Sequence, residues 1–449
     1  MTAASKTSGS IEQPAQEALP GARAALLLLL SINLFNYIDR QVLAAVVPEI
    51  RQEFFSQGST PGPAVQFLLD TLQSILGANP ENALIGLLSM AFMVSYMLMA
   101  PIFGWLKIKR WWVIAGGVAI WSLASGATGL AGSFGLLLLT RCIVGVGEAA
   151  FGPVAPSMLS DFYPEKIRGS ILSWFYVALP VGSALGFVLG GLVAAYLGWR
   201  WAFYLVVPPG IILAVSCFFM KEPEHKSLSS AKKGMSFSDY REILKTPSYL
   251  LNTLGMAFMC FAVGGMGFWM PSYIHEYRGV GNLAQVNLIF GSILVVSGLT
   301  ATLSGGWLAD KLRARYPGAY LQVSGWGMLL AVPFFLAALY IPFPYAWVCL
   351  FITCFCLFLN TGPSNTALAN VTRPEMRASA FALNILVIHL LGDVLSPLLI
   401  GALTDMLGND MTKAFLSVSI TIFAGSILWL FGARYLQADT ERAQAKAHH

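Results

Sequence analysis

A chain of 449 residues in which 56% are hydrophobic and 11% charged sits far from the roughly 25% charge of soluble domains. It lacks the polar surface to stay dispersed in water, so the lipid bilayer must be its solvent. The net charge of +5 is modest and gives no reason to expect a nucleic-acid partner. Residues 1–23 are mostly polar and small and read as a disordered tail, with no cleavable secretory signal ahead of the first apolar run. Six apolar windows long enough to cross a membrane follow, near 24–51, 82–106, 111–131, 134–160, 168–197 and 201–220. A charged, Pro- and Ser-containing stretch at 221–247 reads as a linker. Six more windows lie near 248–274, 283–309, 318–341, 344–371, 378–407 and 411–436, and 437–449 forms a second tail. The expected fold is all-α, with twelve transmembrane helices in two pseudo-symmetric six-helix bundles, 24–220 and 248–436.

Lysine and arginine set the sidedness. With both termini in the cytoplasm, 21 of the 27 basic residues fall on the inside and only Arg51, Arg200, Arg278 and Lys413 on the outside. Arg40 and Arg141 remain, within spans. The halves also echo one another. Gly104-Trp105-Leu106 follows the second span, and Gly306-Trp307-Leu308-Ala309-Asp310-Lys311-Leu312-Arg313 follows the eighth. Pro164-Glu165-Lys166-Ile167-Arg168-Gly169 follows the fourth, and Arg373-Pro374-Glu375-Met376-Arg377-Ala378 follows the tenth. Matching punctuation at matching places points to a duplicated transporter.

These residues carry a family pattern. The first span reads Asn36-Tyr37-Ile38-Asp39-Arg40, and the fourth reads Arg141-Cys142-Ile143-Val144-Gly145-Val146-Gly147-Glu148. The fifth has Pro180-Val181-Gly182 with Gly186, and the eleventh has His389-Leu390-Leu391-Gly392-Asp393. Over its whole length the chain resembles the major facilitator superfamily, and within it the Spinster-like lipid transporters. The first motif also occurs in organic-anion symporters of the superfamily; the Gly-x-Gly-Glu and His-Leu-Leu-Gly-Asp motifs together are more specific. The resemblance implies a bacterial homologue, in the inner membrane, that exports or flips lysolipid-like or sphingoid-base molecules in a proton-linked cycle. It also implies a fold that works as a monomer. The sequence departs from the family in lacking an acidic residue in the basic loop after the second span, and in a longer loop from Glu53 to Asn82.

Asp39, Arg40, Arg141 and Glu148 lie well inside spans and sum to zero charge. A charge at the bilayer centre costs at least about 2.5–3.5 kcal/mol, so such groups are kept for function more often than not. Arg141 and Glu148 are seven residues apart, on one helix face and separated by roughly 10 Å along the axis. Asp39 and Glu148 are the candidate proton carriers, with Arg40 and Arg141 exchanging partners between the two open states. An arginine that moves toward or away from a buried carboxylate changes its proton affinity, and protonation must then bias the conformation. The other reading is a static ion-pair network that holds two helices together.

Candidate substrate contacts are Arg40, Tyr37, Tyr176, Trp269, Asn360, His389 and Asp393. His389 and Asp393, four apart, share a face and could bind a head group, relay protons or form a structural pair. Gly182, Gly186 and Gly190 make a smooth face on the fifth span, expected to pack against the eighth. Asp310, at a helix C-terminus where a carboxylate opposes the dipole, needs a partner. Arg377 or the start of the eleventh helix is expected, so that Gly306, Asp310, Lys311, Arg313 and Arg377 form a latch that shuts the cytoplasmic side in the outward-open state. The first outer loop has an amphipathic spacing from Val65 to Leu76. The scattered cysteines read as small hydrophobes, and no metal, cofactor or nucleophile–base cluster is expected, so the chain is not read as an enzyme. Two functions stand: a proton-linked transporter of amphiphilic lipids, and a symporter of organic anions such as sugar acids or phosphorylated metabolites.

Overall fold

The computed structural model describes residues 18–55, 63–106, 108–222 and 237–447. Most of the 221–247 linker, the start of the first tail, Lys107 and part of the long first loop lie outside them. Among these residues, twelve helices are long and apolar enough to cross a membrane. In order they are Ala22–Ala45, Glu81–Phe103, Arg110–Gly129, Phe134–Phe162, Ser170–Leu197, Trp199–Phe218, Pro247–Tyr277, Leu283–Arg313, Ala319–Tyr340, Tyr345–Asn370, Ser379–Met406 and Met411–Gly432. They match the twelve windows of the sequence. The described part of the linker contains a short helix, Phe237–Leu244, and the second tail is helical over Leu436–Ala447.

Packing repeats with a six-span period. The first span packs on the fifth as the seventh packs on the eleventh; the second and third pack on the fourth as the eighth and ninth pack on the tenth. The third meets the sixth as the ninth meets the twelfth. Between the halves the fifth meets the eighth and the second meets the eleventh, which are the same contact exchanged by the pseudo-symmetry. A spanning chain must bond every backbone polar group within itself, so helices carry all twelve crossings.

An even number of spans leaves both chain ends on one face, here termed the terminal face; the opposite one is the far face. The halves are clasped at the far face. Gly86 of the second span lies so close to the eleventh that a Cβ would come 2.4 Å from the Pro397 carbonyl oxygen, and a Cβ on Gly401 would come 2.3 Å from that of Asn82. Gly191 and Gly291 do the same work between the fifth and eighth spans, against Asn287 and Ala184. Polar groups then close the seam. Asn82 and Ala83 donate backbone N–H groups to the two oxygens of Asp405, at 3.1 and 2.8 Å. The Asn82 amide also donates to Asp405 and Asn409, at 2.7 and 2.9 Å. Asn287 donates to the Ala45 carbonyl at 3.0 Å.

The glycine face of the fifth span turns out otherwise than expected. Gly182, Gly186 and Gly190 pack on the first span of their own half, where a Cβ would strike Leu34, Ile38 and Ala45. The reason is that the fifth span touches two neighbours on different faces, and the every-fourth-residue stripe serves the one inside its own bundle.

Because Gly401 meets rigid backbone, Gly401→Val should destabilise the clasped state by about 1–3 kcal/mol, the usual cost of overpacking. Spin-label distances across the far face should lengthen in this variant. Gly116, beside which there is open space, provides the control: Gly116→Ala should leave those distances unchanged.

Candidate transport site

The four charges within the first half come together. Glu148 is brought inward by the glycines before it. Gly145 lies against the Phe92 carbonyl of the second span, and Gly147 against Trp121 and Gly117 of the third, with no room for a side chain at either. The fourth span is thereby wedged between its neighbours, and Glu148 and Arg141 are each about 1% exposed. Arg40 reaches across from the first span and donates from Nε to Glu148 Oε2 at 2.7 Å. Its guanidinium lies among the rings of Tyr37, Phe92 and Tyr96, at 5.3, 5.1 and 5.3 Å from their centroids. Such cation–π contacts help replace the water that a buried cation gives up.

Asp39, one residue earlier, points away from that pair. Ser125 of the third span donates to Asp39 Oδ1 at 2.5 Å, while Oδ2 has no hydrogen-bond partner among the described residues. Arg141 lies 5.5 Å from the centroid of the Phe92 ring. Its charge acts on both Asp39 and Glu148, yet its Nε and Nη1 have no hydrogen-bond partner among the described residues. The site therefore holds one formed ion pair, and beside it an arginine and an aspartate whose bonding capacity is incompletely used. A second arginine within electrostatic reach of both carboxylates is what an exchange of partners requires.

The other candidates fall in two sets. Tyr176 is half exposed, near the terminal end of the fifth span, and stacks edge-on against Phe175. His389 Nδ1 lies 3.0 Å from both oxygens of Asp393, and both side chains are about 30% exposed (33% and 28%). The two residues bracket a π-helical turn, His389–Asp393, a rare geometry that tends to mark functional positions. Gly392 and Gly264 let this turn approach the seventh span. Trp269 and Asn360, in contrast, are fully buried. Trp269 donates to the Pro397 carbonyl at 2.8 Å, and Asn360 donates to the Leu357 carbonyl. In this conformation both are packing groups rather than lining groups.

With the far face clasped, the latch residues are engaged separately, and the latch contact belongs to the opposite, outward-open state. Asp310 accepts from the Tyr320 hydroxyl of the ninth span at 2.8 Å, not from Arg377. Arg377 instead donates to the Ala369 and Thr372 carbonyls. Lys311 lies over the Trp307 ring at 4.8 Å, Arg313 beside Tyr320, and Gly306 next to open space. The first half has an ion pair that its loop sequence does not announce. Arg110 bonds Asp161 at 2.6 Å and Glu222 at 2.7 Å, so the acidic partners come from the end of the fourth span and from beyond the sixth. The far-face groups Arg51, Asn82, Glu276 and Asp405 were likewise hidden in the sequence, which gives no sign of which outer charges meet. Among the described residues no three of His, Cys, Asp and Glu come together as a metal site.

The profile of the Major Facilitator Superfamily matches residues 29–397, and the chain belongs to that family of transporters. It is 32% identical to human "Protein spinster homolog 1", over 96% of this chain and 86% of that one, and equally similar to "Protein spinster homolog 3" of Danio rerio, over 94% and 86%. Within the superfamily it is a Spinster-like protein, an integral, multi-pass membrane transporter and not an enzyme. The fold superposes on a crystal structure of a bacterial homolog to the human lysosomal transporter Spinster with a TM-score of 0.73 at 23% identity, covering 95% of this chain and 98% of the other. It also superposes on a D-xylose-proton symporter at 0.69 and 17% identity, covering 91% and 96%.

Removing one member of a buried pair leaves the other charge uncompensated, at a cost of roughly 3–5 kcal/mol. Arg40→Met should therefore lower the melting temperature in detergent more than the double variant Arg40→Met with Glu148→Met. A loss in the double variant equal to the sum of the losses in Arg40→Met and Glu148→Met alone would mean that the two charges are not coupled.

Proposed function

We propose that the chain moves an amphiphilic lipid, of lysophospholipid or sphingoid type, by proton-linked alternating access. The observation that carries this reading is the Arg40–Glu148 pair set among three aromatic rings, with Asp39 and Arg141 poised beside it. When Glu148 takes a proton its hold on Arg40 weakens, and the guanidinium is released to an anionic head group or to Asp39. Release of the proton restores the pair and expels the ligand. Asp39 and Glu148 are the proton carriers in this scheme, and Arg40 with Arg141 the groups they share. Linkage demands that the proton and the substrate shift one another's binding by the same factor.

A lipid suits the surroundings. The rings of Tyr37, Phe92 and Tyr96 stand around the Arg40 guanidinium, and Tyr176 is half exposed near the terminal face. Aromatic surface accepts an acyl chain, while Arg40 and the His389–Asp393 turn offer polar contacts for a head group. The terminal face is read as cytoplasmic because it carries most of the lysines and arginines, and the single-chain bundle as sufficient alone. The second reading, an organic-anion symporter, draws on the same arginine, since guanidinium binds carboxylate and phosphate well, and on the fold shared with a sugar–proton symporter.

The test is uptake of labelled lysophospholipid, sphingosine or glucuronate into proteoliposomes with and without an imposed pH gradient. A lipid signal stimulated by the gradient is expected, and Glu148→Gln should reduce uptake to the level seen without a gradient. Gradient-driven glucuronate uptake without lipid movement would select the second reading. Full stimulation in Glu148→Gln would remove Glu148 from the coupling.

A further inference from the structure

Beyond the charges in the spans, one acidic group at the far face has no role in the proposed cycle. Glu49 lies on the helix Val47–Phe55, which follows the first span and belongs to the first half. It borders a cavity of about 440 Å³ that reaches across to the second half, lined among others by Arg51, Glu81, His275 and Glu276. Arg51 Nη1 donates to Glu276 Oε2 at 2.6 Å, and Nη2 donates to Asn82 Oδ1 at 2.7 Å. The Arg51–Glu276 bond thus ties the first half to the second, and through Asn82 it is joined to the Asp405 network of the clasp. Trp269 and Tyr277 lie beside the same guanidinium, each 5.9 Å from it.

Glu49 does not share in this bonding. Its Oε2 is buried and without a hydrogen-bond partner among the described residues, although the cation of the cluster is two positions along the same helix. The charged and titratable groups around it are Arg51 on its own helix, Glu81 at the head of the second span, and His275 and Glu276 at the end of the seventh. Glu53, farther along the helix, is engaged elsewhere: Arg200 holds both its oxygens at 2.5 Å and Trp199 donates to it at 2.8 Å.

We propose that Glu49 is a second proton-binding site, reached through the far-face cavity, whose protonation holds the far face shut and whose ionisation helps it open. When Glu49 is neutral, Glu276 is the one acidic partner of Arg51 and the cross-half bond is undisturbed. When it ionises, a second negative charge stands in the first half facing Glu276 in the second, and the halves repel at the clasp.

The direction of the pH dependence follows. Burial pushes the Glu49 carboxyl up to about 7, from an ordinary glutamate value near 4.5, and the neighbouring Glu276 charge adds to the effect. In the clasped state Glu49 binds its proton more tightly than it would once exposed to water. By linkage the support that Glu49 gives the clasp is full below the exposed value near 4.5 and is lost as pH rises to about 7. Glu53 is held the other way, below the ordinary range, chiefly by the Arg200 hydrogen bonds, so it stays ionised across this interval.

The experiment is spin-label distance measurement across the far face, with labels at Leu130 in the first half and Tyr345 in the second, in lipid from pH 5 to 9. The native chain should show a short-distance population that declines as pH rises from 5 to about 7. Glu49→Gln, which cannot ionise, should keep the short distance at pH 9. Glu276→Gln, which removes both the repelling charge and the cross-half bond, should move the midpoint to lower pH. His275→Gln and Glu81→Gln should retain a transition. An unchanged midpoint in Glu49→Gln, or a transition abolished by His275→Gln alone, would overturn the proposal. The proposal is independent of the role given to Glu148: Glu148→Gln should keep the Glu49-dependent part of the transition whether or not it stops proton-driven transport.

Discussion

A charge inside hydrocarbon must find a partner, and the first half of this molecule is organised by that demand. Arg40 meets Glu148 between the first and fourth spans, and for the pair to form, the fourth span has to lie closer to the second and third than ordinary side chains permit. Gly145 and Gly147 supply that closeness. The glycines and the glutamate are therefore a single device, since a methyl group at either glycine would push Glu148 away from the arginine that neutralises it. The aromatic rings of Tyr37, Phe92 and Tyr96 complete the compensation from the side. Arg141, with bonding capacity left over, makes the arrangement one of several that the same four residues could adopt.

The far face depends on a different balance. There the halves approach through glycines whose neighbours are backbone, which leaves no slack, and through hydrogen bonds that give the contact its register. Dispersion between closely packed backbones is gained only while the halves stay within a fraction of an ångström. A small repulsion at the seam thus has a disproportionate effect. This is the physical reason for looking to the acidic cluster at Glu49 and Glu276, rather than to the apolar contacts, for control of the clasp.

Much of the architecture could be read from the sequence because the bilayer simplifies the problem. Twelve apolar windows became twelve helices, and the repeated Gly, Pro and Glu punctuation matched a packing pattern that repeats every six spans. Asp39, Arg40, Arg141 and Glu148 were visible as charges where charges are costly. Partner choice was another matter. That Arg40 rather than Arg141 takes Glu148, that Asp310 takes Tyr320, and that Arg110 takes Asp161 and Glu222 all depend on helix rotation and crossing angle. One-dimensional spacing does not contain these. The stripe of Gly182, Gly186 and Gly190 shows the limit clearly: its periodicity announces a close helix contact, but not which of two neighbours receives it. The far-face acids gave no signal at all, because charges at the ends of spans are ordinary in any membrane protein.

The symmetry of the fold and the asymmetry of its charges also bear on mechanism. The fifth–eighth and second–eleventh contacts are equivalent by the pseudo-two-fold, so either half can rock against the other about the same seams. The compensated charge cluster, however, lies in the first half, and among the described residues no matching four-charge cluster occurs within the spans of the second. At the corresponding depth the second half offers the His389–Asp393 pair, on a π-helical turn and partly exposed. A π turn widens a helix locally and places its side chains off the regular register, which suits a contact that must adapt to a ligand more than one that must stay fixed. The division that follows has the first half storing and switching charge while the second presents an adaptable surface. The hinge between them is then governed by whichever carboxylates change protonation as the seams open.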